Sequence, residues 1–169
     1  HGARISLRVG AAATLLTAVL GVLLGALSGY YRAIDAVLSR IVDGLMIFPG
    51  VILAIMIMAA LGPNERNVVL AMTILYTPRV IRVVRASVLE LRAVEFVDAA
   101  RVVGAGDLRI LGYHILPNAF GPAMVQVTFG FAWAILVEAG LSFLGLGTPP
   151  PEPSWGNMLT NAQELIWQA

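Results

Sequence analysis

Uncharged apolar runs alternate with short charged stretches along this chain, and their lengths set the first expectation. Val9 to Tyr31 and Gly44 to Asn64 contain no charged residue, and each is long enough to cross a hydrocarbon core of about 30 Å as helix. Pro49 interrupts the second run, removes one backbone bond and predicts a kink. Gly62, Pro63 and Asn64 then make a turn. A third run from Asn67 ends at Pro78, too short to cross unaided, so Arg79 and Arg82 snorkel towards water and the helix continues beyond the bilayer. After a polar stretch from Arg85 to His114, a fourth run reaches from about Ala119 to Leu146, interrupted by Glu138. The expected spans are about 7–30, 44–62, 67–85 and 118–146, with Tyr30 to Asp43 as a short polar link.

Composition agrees with a polytopic membrane protein. Hydrophobic residues make up 59% of the 169 positions and charged ones only 12%, with a mean hydropathy of +0.85, which is outside the range of an ordinary soluble domain. A formal net charge of +1 leaves no bulk basic surface for nucleic acid. There is no cysteine, which excludes disulfides and thiolate metal sites. All eleven basic residues are arginine, so the chain lacks the lysine of a GxxxxGK[ST] phosphate loop, and any ATP is bound by another polypeptide. The chain opens on His1 without a signal-peptide pattern and stops at AQELIWQA without a cap, so both ends read as cut points.

With four crossings, eight arginines (32, 40, 79, 82, 85, 92, 101 and 109) share one side and three (4, 8 and 66) the other. The excess places the large polar loop, about 86–117, in the cytoplasm and both chain ends outside. The external segment, about 147–164, contains the stiff, proline-rich GTPPPEPSWG, and Trp155 and Trp167 suit an interface there. In the first span, Gly21, Gly25 and Gly29 lie on one helix face and let another helix approach closely. The arginines at 79, 82 and 85 hold the loop inside, a role compatible with binding anionic lipid or contacting an ATPase.

Within the loop, Phe96, Ala99, Ala100 and Val103 recur at helical spacing, which predicts an amphipathic helix outside the membrane. Gly104 and Gly106 end it by adopting positive φ, and Asp107 is a good N-cap for a second short helix running to His114. Pro117 marks the return into the fourth span. His114 reads as a surface or interface residue, not a metal ligand.

The order Asp98-Ala99-Ala100, three residues, Gly104, then Leu116-Pro117 resembles the EAA signature of ABC importer permeases. ILVEAGLSFLGLGTPPPEPSWGNML, from Ile135 to Leu159, is similar to the corresponding stretch of the C-type permeases of dipeptide and oligopeptide importers. Two departures are visible: aspartate replaces the leading glutamate, and His114 stands where isoleucine is usual. The resemblance implies an all-α, MetI-like transmembrane domain of about four membrane helices plus a cytoplasmic coupling helix, one domain over 1–169, with a further span usual on either side. It implies that Glu95, Asp98, Ala99, Ala100, Val103, Gly104, Leu108, Leu116 and Pro117 form the interface with the ATPase subunit. The implied partners are two ATP-binding cassette subunits carrying ATP and Mg, a second permease chain, an external substrate-binding protein and membrane lipid. No cofactor is expected on this chain itself.

Glu138 and Pro49 remain as candidates for the pathway or for packing. A charge near the centre of a span costs about 2.5 to 3.5 kcal/mol on insertion scales, so Glu138 faces protein or water. Two other function classes are weaker. An intramembrane enzyme needs a nucleophile with a base or a metal set, and the chain has no HExxH, no internal histidine pair and no intramembrane aspartate dyad. A secondary transporter or channel built around Glu138 is the alternative, and it leaves the loop helices unexplained.

Overall fold

The computed structural model describes residues 2–149 and 153–168, with side chains through residue 163. Pro150 to Glu152 and the Trp167 side chain, assigned above to the external loop and its interface, lie outside the described residues. Every regular element described is helical: α1 (Gly2–Tyr30), α2 (Arg32–Ile47), α3 (Gly50–Leu61), α4 (Glu65–Leu91), α5 (Glu95–Val102), α6 (Asp107–Arg109), a π-helical turn (Ile110–Ile115), α7 (Leu116–Phe143) and α8 (Trp155–Gln168). Among the described residues, three helical stretches are long and apolar enough to cross a membrane, Gly2–Tyr30, Glu65–Leu91 and Asp107–Phe143, and α2 with α3 passes the same test only as a broken pair.

Two expectations about the second span are corrected. The polar link expected at Tyr30 to Asp43 is helical from Arg32 onward and belongs there to α2. Its polar residues Asp35, Ser39 and Asp43 are spaced by four, so they line one helix face and leave Ile34, Val37 and Ile41 to another. At Pro49 the chain breaks, with φ −57° and ψ 128°, and does not merely kink. The proline ring disfavours helical backbone at Phe48 as well. As expected, α4 runs past the third apolar run to Leu91, with Pro78 inside it. The segment at about 147–164, expected to be external, contains the start of α8, which the proline run concealed.

The helices sort into two compact units. The first comprises residues 1–16, 48–76 and 129–169, the second 17–47 and 77–128. Val9, Ala13, Ala54, Met58, Met72 and Leu141 centre the core of the first unit. Arg8 reaches Glu65 there with a hydrogen bond of 3.0 Å from its Nε.

In the second unit, the glycine stripe of α1 lies on Val80, Val84 and Val88 of α4, and Val84, Val88, Val97, Ile110 and Ile115 are buried together. Arg85 and Arg82, expected to snorkel or hold the loop, also tie α4 to α2. Arg85 Nη2 donates to Asp35 at 2.7 Å and Arg82 Nη2 to Asp43 at 2.6 Å. Asp35 also accepts the hydroxyls of Ser28 at 2.7 Å and Ser39 at 2.9 Å. A carboxylate with this many donors is satisfied despite its partial burial.

Candidate functional site

The loop of the second unit begins with α5, whose first turn holds Glu95 and Asp98 and whose last turn holds Arg101, charges that complement the helix dipole. Arg101 Nη1 donates to Asp98 at 2.8 Å. Its hydrogen bond to the Tyr30 hydroxyl, with Asp98 beside it, raises the Arg101 guanidinium above its ordinary value. The helix ends in a Schellman motif: the N–H of Gly104 bonds to the carbonyl of Arg101 at 2.9 Å and that of Ala105 to the carbonyl of Ala100 at 3.0 Å. This closure needs a left-handed residue, and Gly104 supplies it at φ +83°.

The burial register differs from the expected apolar face. Val97 and Ala100 point into the unit's core, whereas Phe96, Ala99 and Val103 are exposed. The inward stripe is therefore carried by residues 97 and 100, on the same side as Val88 and Ile110. Ala100, expected at the ATPase interface, retains 8% of its surface. Glu95, Asp98, Ala99, Val103, Gly104, Leu108 and Pro117 are exposed, and Leu116 is half-buried against the core.

Two expectations about the second loop helix are corrected. Gly106 has φ −72° and takes the N-cap position of α6, so Asp107 is not the cap. The Asp107 carboxylate instead accepts the Tyr30 hydroxyl at 2.7 Å, fastening the loop to the end of α1. Nor does the helix stop at His114, since a π turn joins it to α7, with the N–H of Leu116 reaching Leu111. Pro117 provides a cause: it lacks an N–H and its ring crowds the carbonyl four residues earlier, so the preceding turn widens. His114 is half-buried, and its carbonyl accepts from the Asn118 side chain at 2.7 Å.

Around the Gly104 turn lies an apolar rim with fractional exposures of 87% at Val102, 84% at Val103, 76% at Leu108 and 81% at Tyr113. Val102 and Tyr113 were not anticipated. The signal for them is positional, because both fall off the face defined by Val97, Ala100, Ile110, Leu111 and Ile115. The loop thus presents exposed apolar groups beside Glu95, Asp98 and Arg109, a surface suited to a protein partner.

Glu138 and Pro49 belong to the other unit. Pro49 is exposed and forms the break before α3. Glu138 is fully enclosed within the chain itself. Its Oε1 accepts the Ser142 hydroxyl at 2.8 Å, Ser142 Oγ accepts the Thr148 N–H at 3.2 Å, and the Thr148 carbonyl accepts from Asn157 at 2.9 Å. The chain of contacts connects α7, the following loop and α8. Glu138→Gln keeps the acceptor for Ser142, so thermal stability of the complete protein in detergent is expected to change by no more than about 1 kcal/mol.

A family model, binding-protein-dependent transport system inner membrane component, matches residues 18–169. Among the relatives, a Brucella suis permease protein named for peptide transport is 51% identical over 97% of this chain and 55% of its own length. The dipeptide transport system permease protein of Alkalihalophilus pseudofirmus is 45% identical over 100% and 56% respectively, and the glutathione transport system permease protein of Pectobacterium atrosepticum 41% identical over 96% and 54%. The chain spans about half the length of these relatives. With helices of membrane-spanning length and a family model matched over most of its residues, the chain belongs to the family of inner-membrane components of binding-protein-dependent transport systems.

Proposed function

We propose that the complete protein is a permease subunit of an ATP-binding cassette importer, forming the pathway for peptides or related small solutes delivered by an external binding protein. The observation that carries this reading is the α5 to α7 loop. Its inner face is locked into the second unit by Val97, Ala100 and Ile110, and its outer face presents Asp98, Ala99, Val102 and Val103 to solvent. A load on the outer face passes into helices of membrane-spanning length through a short, packed lever. The peptide assignment draws on the names of the relatives.

In this reading the loop is cytoplasmic and both chain ends are external. Two cassette subunits bind ATP and Mg and hydrolyse the nucleotide, while this chain, with a second permease, binds neither and is not an enzyme. Docking uses Glu95, Asp98, Ala99, Val103, Gly104 and Leu108, extended by Val102 and Tyr113, with Leu116 and Pro117 fixing the lever. Ala100 contributes from behind by seating α5.

Cysteine scanning of the complete protein in its complex tests this. Ala99→Cys is expected to cross-link a co-purifying ATPase, buried Ala100→Cys to react far more slowly, and Arg66→Cys not to cross-link at all. Loss of the reading would show as no ATPase in the purified complex with position 99 labelling readily, or as equal cross-linking from positions 66 and 99.

A further inference from the structure

At the end of α1 the second unit contains an open cleft of about 380 Å³, lined by Tyr30, Tyr31, Arg32, Arg92, Arg101 and Asp107. Three guanidinium groups face one carboxylate across it, and the carboxylate is already engaged by the Tyr30 hydroxyl. Two of the arginines are held in place. Arg92 Nη1 donates to the carbonyls of Gly29 at 3.0 Å and Tyr30 at 3.3 Å, leaving its other N–H groups to the cleft. Arg101 is set by Asp98 at 2.8 Å. Arg32, by contrast, makes no hydrogen bond or ion pair among the described residues, although Arg82 and Arg85 on the neighbouring helix are paired with Asp43 and Asp35.

An excess of fixed positive charge with an unused guanidinium fork selects an oxyanion that offers two oxygens to parallel N–H groups, and phosphate does so with charge to match. The position identifies its source. Tyr30 ends one helix of spanning length, and Arg92 follows Leu91, where another runs out about two turns past its expected span, so the cleft lies just outside the level at which the spans leave the bilayer. That is the depth of lipid headgroups, and tyrosine and arginine are the residues found there. We propose that this cleft binds the phosphate of an anionic phospholipid, with Arg32 as its principal donor and Arg92 and Arg101 as supporting ones. The assignment to the inner leaflet rests on the cytoplasmic orientation proposed above, whereas the phosphate chemistry does not. Because Arg101 lies on α5, an occupied cleft would also brace the loop against the end of α1.

The test is native mass spectrometry of the complete protein in mild detergent, titrated with phosphatidylglycerol or phosphatidylcholine. Phosphatidylglycerol is expected to bind more tightly, and Arg32→Gln to weaken it about tenfold, as expected for one lost charge-assisted contact. Arg32→Lys, which keeps the charge but not the fork, should fall between the two, and Arg66→Gln should match the parent. The proposal is overturned if Arg32→Gln and the parent bind phosphatidylglycerol alike. It is equally overturned if millimolar inorganic phosphate displaces the lipid from the parent, which would make free phosphate the ligand. Labelling of Arg66→Cys by an impermeant maleimide in intact cells reports the orientation independently, so a failed topology and a failed lipid site give different results.

Discussion

Gly156→Ala is expected to cost about 3 kcal/mol or more and to remove most of the folded protein from detergent extracts. A Cβ at this position of α8 would meet the carbonyl oxygen of Ala139, lie 2.5 Å from Ser142 Cβ and 2.6 Å from the backbone N of Phe143. Two of these atoms are backbone of α7, so no rotamer change relieves the collision, and α8 must lift away. Lifting it would loosen the Thr148 to Asn157 hydrogen bond and, through Thr148 and Ser142, the setting of Glu138. Fluorescence-detected size-exclusion melting of the complete protein measures the effect, with Gly140→Ala as control. That control sits on α7 with nothing within 4 Å of its added Cβ, and a helical Gly→Ala change without strain is neutral or stabilising by about 0.4 to 1 kcal/mol. A melting point for Gly156→Ala equal to that of Gly140→Ala would refute the packing.

The same segment shows what the sequence made legible and what it concealed. Trp155-Gly156 was visible as part of a family-like stretch, but not as a point where two helices touch through backbone. That fact depends on which atoms meet, and a linear pattern does not contain it. The long apolar runs announced α1, α4 and α7, because a bilayer demands length and hydrophobicity that chance rarely supplies. α2 was missed for the converse reason: Arg32, Asp35, Arg40 and Asp43 resembled a solvated link, and the partners of the two aspartates lie far along the chain, Arg85 50 positions from Asp35 and Arg82 39 from Asp43. Once paired, those carboxylates are compatible with a packed helix.

In the loop, helical periodicity was recognised but its phase was displaced by one residue. Phe96 and Ala99 looked as suitable for burial as Val97 and Ala100, and the decision fell to the surrounding Val88, Ile110 and Ile115. Gly104 was legible because only a positive φ closes the Schellman motif there. Gly106 has the same side chain and no such duty, and takes φ −72°. The π turn before Pro117 had a visible cause, yet whether a proline breaks, kinks or merely widens a helix depends on the packing around it. Pro49, Pro78 and Pro117 give three different outcomes in one chain.

Gly25→Ala is expected to separate α1 from α4 in the second unit and to destabilise the complete protein by about 2 to 3 kcal/mol. In a bilayer, helices gain little from hydrophobic association with each other, so close van der Waals contact between small residues carries much of the packing. An added Cβ would lie 2.8 Å from Val84 Cβ and 2.9 Å from the carbonyl oxygen of Ile81. One obstacle is a side chain and the other is backbone, which makes the position testable by second-site suppression. At Gly21 the nearest atoms all belong to the Val80 side chain, at 2.5, 2.6 and 3.5 Å. Val80→Gly should therefore recover part of the stability lost in Gly21→Ala, as a double-mutant cycle reads it. Val84→Gly should recover less for Gly25→Ala, because the Ile81 carbonyl stays in place. Equal recovery at both positions would mean that α4 shifts as a rigid rod. Val88 and the Arg85 carbonyl, which crowd Gly29 at 2.7 and 2.9 Å, would then move with it. Unequal recovery would locate the rigid contact at the middle glycine, between the Arg85–Asp35 pair and the centre of the span.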